Sequence, residues 1–224
     1  MSQGQINLFH HDPEWILETV REEAFGYEYD FKKHVVLLKN EQHDVMGFIR
    51  LPLHWMVNHD LFLMGQEARA LYITIESGNA AICMMEGKEN VYHTTFSAYM
   101  TRKKQGFSQI KYLKKKGKSK AGSRVRLAKT VTFFENINET LTELLDEYEI
   151  DRIALGCSTT LIPFLFQSKV ACPFDKRDPR LYKIPLHIPQ SNYTNLDAAI
   201  RKLQAPILFF DQQFEKDLHS LFEL

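Results

Sequence analysis

Residues 101–134 carry twelve Lys and Arg side chains and not one Asp or Glu. Those cations cannot be buried unpaired, because each would cost several kcal/mol, so the charged side chains of the stretch are expected to lie in solvent. Residues 135–151 reverse the sign, with Glu135, Glu139, Glu143, Asp146, Glu147, Glu149 and Asp151 and no cation before Arg152. The chain as a whole is neutral, 28 Lys and Arg against 28 Asp and Glu, so neutrality here is a sum over segregated blocks. Lys and Arg clusters gain affinity for polyphosphate by releasing condensed counterions, whereas a merely solvated face usually mixes its signs. A nucleic-acid partner is therefore expected. A membrane surface is not, since the glycine-rich half of the tract has no bulky apolar stripe to bury among acyl chains.

Composition narrows the class further. With 44% hydrophobic and 25% charged residues, the 224-residue chain is neither disordered nor collagen-like nor a disulfide framework. No apolar run approaches the roughly 18 residues a membrane helix needs, and residues 1–7 lack the basic-then-apolar layout of a signal peptide, so a cytoplasmic location is expected. Cys83, Cys157 and Cys172 are odd in number and far apart, which suits a reducing compartment and buried small hydrophobes. His10-His11-Asp12 and the pair His54 and His59 lack convergent ligand spacing, so no metal is assigned and no cofactor is expected.

Asp12-Pro13 followed by Trp15, Ile16, Val20 and Phe25 predicts a capped amphipathic helix, Asp capping and Pro occupying the first turn. Residues 34–38 and 45–51 predict a hairpin, and 52–64 read equally as helix or strand. From Ala70 the alternation sharpens into three strands over 71–75, 80–85 and 91–96, with a Ser77-Gly78-Asn79 turn and Gly87 between them. The basic stretch that follows, with Gly106, Gly117 and Gly122, is expected to be a mobile loop. Val125, Leu127, Val131, Phe134, Ile137, Leu141, Leu144 and Leu145 then recur at helical intervals over 123–148. That helix starts basic and finishes acidic, against its own dipole, so something other than stability selects those charges. A short strand at 153–156, a helix capped by Ser158 through Phe166, a strand at 181–188 and helices over 196–203 and 209–222 complete the reading. Three strands in hairpin order, a long helix, and strands that need crossovers make an α/β fold with a mixed β-sheet. The domains are expected at 1–68, an N-terminal α/β extension of helix and hairpin, and at 69–224, with the basic loop at 98–122.

The run Arg102-Lys103-Lys104-Gln105-Gly106-Phe107-Ser108-Gln109, with Lys111, Tyr112, Lys114, Lys115 and Lys116 after it, resembles the signature loop of the release-factor-like proteins of ribosome-associated quality control. These are relatives of the central domain of eukaryotic and archaeal peptide-chain release factors. Gly106, Ser108 and Gln109 match the family's Gly-x-Ser-Gln core, and Ala121-Gly122-Ser123 with Arg126 resembles the run opening its next helix. Some relatives have Gly where Phe107 stands, and the zinc finger, ankyrin repeats and partner motif of the large eukaryotic members are absent from this sequence, which points to a compact, bacterial version. The resemblance implies a ribonuclease-H-like central domain whose long loop follows the third strand. It also implies an enzyme that frees nascent chains from obstructed large ribosomal subunits, by hydrolysing the ester to the terminal adenosine or by cutting the tRNA near its 3′ end. Its partners would be the large subunit, peptidyl-tRNA and ribosomal RNA, with the protein acting as a monomer.

Elementary chemistry limits the roles within that loop. Gln109 has no titratable proton and cannot act as a general base, but its amide can hold a water or donate to a developing charge. Gly106 permits close backbone approach to RNA or a positive φ. Arg102, Lys103, Lys104, Lys111, Lys114, Lys115, Lys116, Lys118, Lys120, Arg124 and Arg126 are the phosphate contacts expected to hold the loop in place. The alternative is a non-catalytic factor whose basic loop only docks on ribosomal or transfer RNA. Glu76, Glu135 and Asp151 could be imagined as a two-metal nuclease set, but the first strand lacks a central Asp. Cys157 lacks the glycines of a nucleophile elbow and reads as a structural thiol.

Overall fold

A computed structural model of the chain describes residues 3–98 and 119–222, the side chains of residues 3 and 119–127 excepted. In chain order the elements are β1 (Gln3–Asn7), α1 (Pro13–Glu23), β2 (Gly26–Asp30), β3 (Val35–Lys39), β4 (Val45–Arg50), β5 (Trp55–Val57), β6 (Leu63–Glu67), β7 (Arg69–Glu76), β8 (Asn79–Glu86) and β9 (Glu89–Ser97). Beyond the basic tract come α2 (Ser119–Glu147), β10 (Arg152–Cys157), α3 (Ile162–Phe166), β11 (Leu181–Lys183), α4 (Tyr193–Leu203), β12 (Ile207–Asp211), a 3-10 turn (Gln212–Phe214) and α5 (Glu215–Leu221). The architecture is a mixed α/β one. Two units emerge, the first comprising Met1–Ala70, Met85–Glu89 and Ala198–Leu224, the second Leu71–Met84 and Asn90–Asp197.

The first unit is built on a five-stranded sheet in the order β1-β12-β4-β3-β2, each neighbour antiparallel. Its core joins Ile16, Leu17 and Val20 of α1 to Val36, Leu38 and Ile49 of the hairpin and to Leu208 and Phe210 of β12. The start of α1 follows from sequence: Asp12 accepts from the amides of Glu14 and Trp15 at 2.9 and 3.2 Å, with Pro13 in the first turn. Such a cap is worth about 1 kcal/mol. Phe25, expected on the helix's apolar stripe, lies beyond its end and is 69% exposed. Residues 52–64 resolve as β5 and the start of β6, which pair in a two-stranded ribbon. The turn between β8 and β9 places Gly87 at φ +58°, a conformation that L side chains rarely adopt.

The second unit has a five-stranded sheet in the order β11-β10-β7-β8-β9. Tight turns join β7, β8 and β9, the first through Gly78 at φ +89°, whereas β10 and β11 run parallel. On α2, Phe133, Phe134, Ile137, Leu141 and Leu144 form the stripe that packs with Leu71, Ile73 and Ile82. Asn138 is buried on the same helix, and its Nδ2 donates to the carbonyls of Leu165 and Val170 at 2.9 and 2.8 Å. That amide ties the short α3 and its exit to the long helix.

Four further expectations change. Residues 209–222 do not form helix throughout, because Ile207–Asp211 is a strand paired on both sides, and only Glu215–Leu221 is α-helical. The strand expected at 181–188 stops at Lys183, ahead of Pro185 and Pro189, whose rings remove ladder donors. Ser158 does not cap through its side chain; its carbonyl accepts from Leu161 and Ile162, and its hydroxyl lies 3.0 Å from that of Thr160. Finally, 198–224 groups with the N-terminal residues instead of continuing one domain from 69 to 224, since β12 lies between β1 and β4.

Candidate functional site

The basic tract leaves the fold after β9 and rejoins it at α2. Gly106, Ser108 and Gln109 lie outside the described residues, as do Arg102, Lys103, Lys104, Lys111, Lys114, Lys115, Lys116 and Lys118. Lys120, Arg124 and Arg126 fall on α2 within the turns whose side chains are not described. What the fold defines is therefore the frame from which that tract departs.

One side of the frame is the end of β9, where Thr95 and Ser97 are exposed and Phe96 is half-buried, the alternation a strand imposes. The amide of Ala98 donates to the Gly78 carbonyl at 2.8 Å, fixing the last described residue ahead of the tract to the β7–β8 turn. The other side is α2, whose Lys129, Thr132 and Asn136 recur at helical spacing and are all exposed. Together with Phe96, Ala98, Ala128 and Phe133 they line a groove of about 660 Å³. Its walls offer three hydroxyls, one amide and a single ammonium, with no carboxylate, over an apolar floor. Such a surface can hydrogen-bond a neutral polar or sugar-like group and tolerate an adjacent anion; no side chain on its walls is an acid or base suited to proton transfer near neutrality.

Midway along β9, His93 stacks on Tyr193 with ring centroids 4.0 Å apart, and Asn90, near the strand's start, donates to the Tyr193 hydroxyl at 2.7 Å. Neither this cluster nor the groove was legible in the sequence. Asn90 and Tyr193 stand 103 residues apart, and Thr132 and Asn136 look like any solvated helix positions until β9 is set beside them.

The remaining candidates separate cleanly. Burial pushes the thiols of Cys157 and Cys172 up to about 11 and that of Cys83 to about 12, the last aided by the charge of Asp197. None of the three is in a disulfide, and burial keeps each thiol protonated at neutral pH, which is the behaviour of structural thiols and not of nucleophiles. Among the described residues no three His, Cys, Asp or Glu side chains converge as metal ligands, so Glu76, Glu135 and Asp151 form no such set. Among the described residues, too, no helix is long and apolar enough to cross a membrane.

The model of the family described as Bacteroidetes VLRF1 release factor matches residues 70–207. That span takes in β7 from its second residue, β8, β9, the basic tract, α2, the groove and all of the second unit. A solved structure titled "Vms1 mitochondrial localization core" aligns over 90% of this chain and 95% of that chain, at 11% identity and a TM-score of 0.47. No curated protein matches.

Proposed function

Because the chain belongs to the Bacteroidetes VLRF1 release-factor family, a group whose work is translation, we propose that it is a ribosome-rescue enzyme that frees nascent chains from obstructed large ribosomal subunits. The carrying observation is that the family match spans Gly106-Phe107-Ser108-Gln109 together with all twelve cations of residues 101–134. The reaction is cleavage of peptidyl-tRNA, either at the ester to the terminal adenosine or at a phosphodiester near the tRNA 3′ end. Gln109 positions the attacking and leaving oxygens, Gly106 lets the backbone approach, and Ser108 is the serine of the same Gly-x-Ser-Gln core. The cations from Arg102 to Arg126 hold the loop against ribosomal RNA and tRNA phosphate. The protein works as a monomer in the cytoplasm, without a cofactor.

A ribonuclease-H-like reading of the second unit belongs to the same proposal. In its favour is the order β9-β8-β7-β10-β11, a three-strand meander whose first strand neighbours a strand of a parallel pair. The loop then leaves from the meander's third strand, as the signature requires.

The test uses purified large subunits carrying labelled peptidyl-tRNA. Gln109→Ala should lower peptide release by about 100-fold or more, since a positioned amide at a reacting centre is typically worth that much. Its subunit binding should stay within a small factor of the parent. Reversing Lys114, Lys115 and Lys116 to Glu should instead weaken association by about tenfold or more and flatten its salt dependence. Mapping the tRNA 3′ end after reaction distinguishes ester from phosphodiester cleavage. A Gln109→Ala protein that releases peptide at the parental rate would leave the non-catalytic docking factor standing.

A further inference from the structure

A second groove lies wholly in the first unit, at the junction of the end of α1, the β3–β4 turn and the C-terminal α5. Its volume is about 360 Å³, enough for roughly two side chains of a larger partner. Ala24, Met46, Phe214 and Leu221 supply an apolar floor, and Phe25 stands at its edge 69% exposed. Around that floor are Glu23, Glu41 and Asp217, all exposed, and among the described residues none of them is in an ion pair and no cation lines the groove. The three carboxylates come from three different elements, so helix periodicity does not explain their common sign.

The chemistry of the occupant follows from what this arrangement rejects. Polyphosphate is repelled by three unpaired carboxylates with no cation among them. A single metal ion is not served, because these carboxylates do not converge as ligands. A purely apolar segment would have to desolvate the acidic rim without compensating it. What remains is a ligand with several spaced cations and at least one apolar anchor. We infer that this groove docks a Lys/Arg-rich peptide segment of a partner protein, an apolar side chain entering beside Phe25 and Met46 while flanking cations meet Glu23, Glu41 and Asp217. The site lies entirely outside the span matched by the release-factor family, with Phe214, Asp217 and Leu221 contributed from beyond its end and the rest from before its start. It does not depend on the release reading, and loss of peptide release by Gln109→Ala says nothing about it.

The probe is a fluorescein-labelled twelve-residue peptide of alternating Lys and Leu carrying one photo-crosslinking residue, with a Glu/Leu peptide as its counterpart, added to the full chain. The Lys/Leu peptide should bind with saturable anisotropy and the Glu/Leu peptide should not. Crosslinks should fall on 23–25, 40–46 and 214–221. The double change Glu41→Lys and Asp217→Lys should weaken binding by about tenfold or more, and Phe25→Ala by severalfold, while Glu143→Lys in the second unit should leave it unchanged. Phe25, Glu41, Glu143 and Asp217 are all exposed, so the variants should retain the parental melting transition. Equal binding by parent and double variant, or crosslinks confined elsewhere, would overturn the inference. So would concentration-dependent self-association that the double variant abolishes, since the occupant would then be a second copy of this chain.

Discussion

Both units build a five-stranded sheet, but they draw its strands from opposite extremes of sequence separation. In the second unit β7, β8 and β9 follow one another through tight turns, so most of that sheet's pairing is closed locally. In the first, β12 from the end of the chain lies between β1 from its beginning and β4, with Phe209 opposite both Gln5 and Phe48. The rings of Phe48 and Phe209 stack at 5.0 Å across that long-range pair. Local pairing closes short loops, whereas pairing β12 with β1 and β4 closes far longer ones, whose entropic cost is higher though it grows only slowly with length. The family match covers the locally closed unit and reaches only Ile207 of the strand that closes the other. The part proposed to do chemistry is thus the part whose fold is written in neighbouring residues, and the remaining unit depends on the two ends of the chain meeting.

The largest effect should come from breaking that meeting. Leu208 is fully buried in the first core and pairs opposite Ile49. Leu208→Asp places a carboxylate there with nothing to pair it, at a cost of about 4 kcal/mol or more. Amide exchange should then lose protection in Val36, Leu38 and Ile49, far away in sequence, while Leu71–Ile75 keep theirs. Simultaneous loss in both sheets at one denaturant concentration would mean that they unfold as a single cooperative body.

A change in the second unit should have the converse pattern and a somewhat smaller size. Asn138→Ala leaves the carbonyls of Leu165 and Val170 without their donor inside a buried region, about 2–4 kcal/mol together with the small cavity. Urea unfolding followed by exchange should show α3 and the end of α2 opening first. Protection in β3 and β4 should be unmoved, and a parallel loss there would contradict the separation.

This asymmetry also decides how much could be read from the sequence. The β7–β9 meander, the β3–β4 hairpin, the Asp12 cap and the long helix were legible because each is signalled by residues a few positions apart: alternation, a Gly turn, a capping side chain, a repeat near every third or fourth residue. The strand β12 was not, since Ile207-Leu208-Phe209-Phe210 is a short apolar run that fits a buried helix as well as a strand, and only its distant partners decide. The same holds for the candidate site. The Gly-x-Ser-Gln core and its cations announce themselves in one continuous stretch, while the groove at its root needs Thr95 and Ser97 of β9 to be set against Thr132 and Asn136 of α2. The acidic groove of the first unit needs three elements at once, and nothing in the sequence around Glu23 or Glu41 hints at Asp217.

The smallest of these effects is a pH dependence seated in the first unit. His54 is buried, its Nδ1 has no partner among the described residues, and its backbone carbonyl accepts from the Ala68 amide at 2.9 Å. Burial, helped by the charge of Lys88, lowers its pKa to about 4 from an ordinary 6.5. The folded state therefore binds this proton less readily than the unfolded chain between those values, and stability must fall as the pH drops through that window. At about pH 5 the loss from this one group is about 2 kcal/mol relative to neutral pH. The carboxyl of Asp178, held below its ordinary value by the hydrogen bond from Arg180, belongs to the second unit and loses its contribution only at still lower pH. His54→Leu, a neutral replacement of similar bulk, should remove most of the slope between neutral pH and about pH 5 whatever it does to stability at neutral pH. Exchange of the Ala68 amide should quicken on acidification in the parent and not in the variant. A parent whose first-unit exchange is as slow at pH 5 as at pH 7 would show that His54 takes up its proton without opening the sheet, and the acid sensitivity would then have to be sought in the second unit.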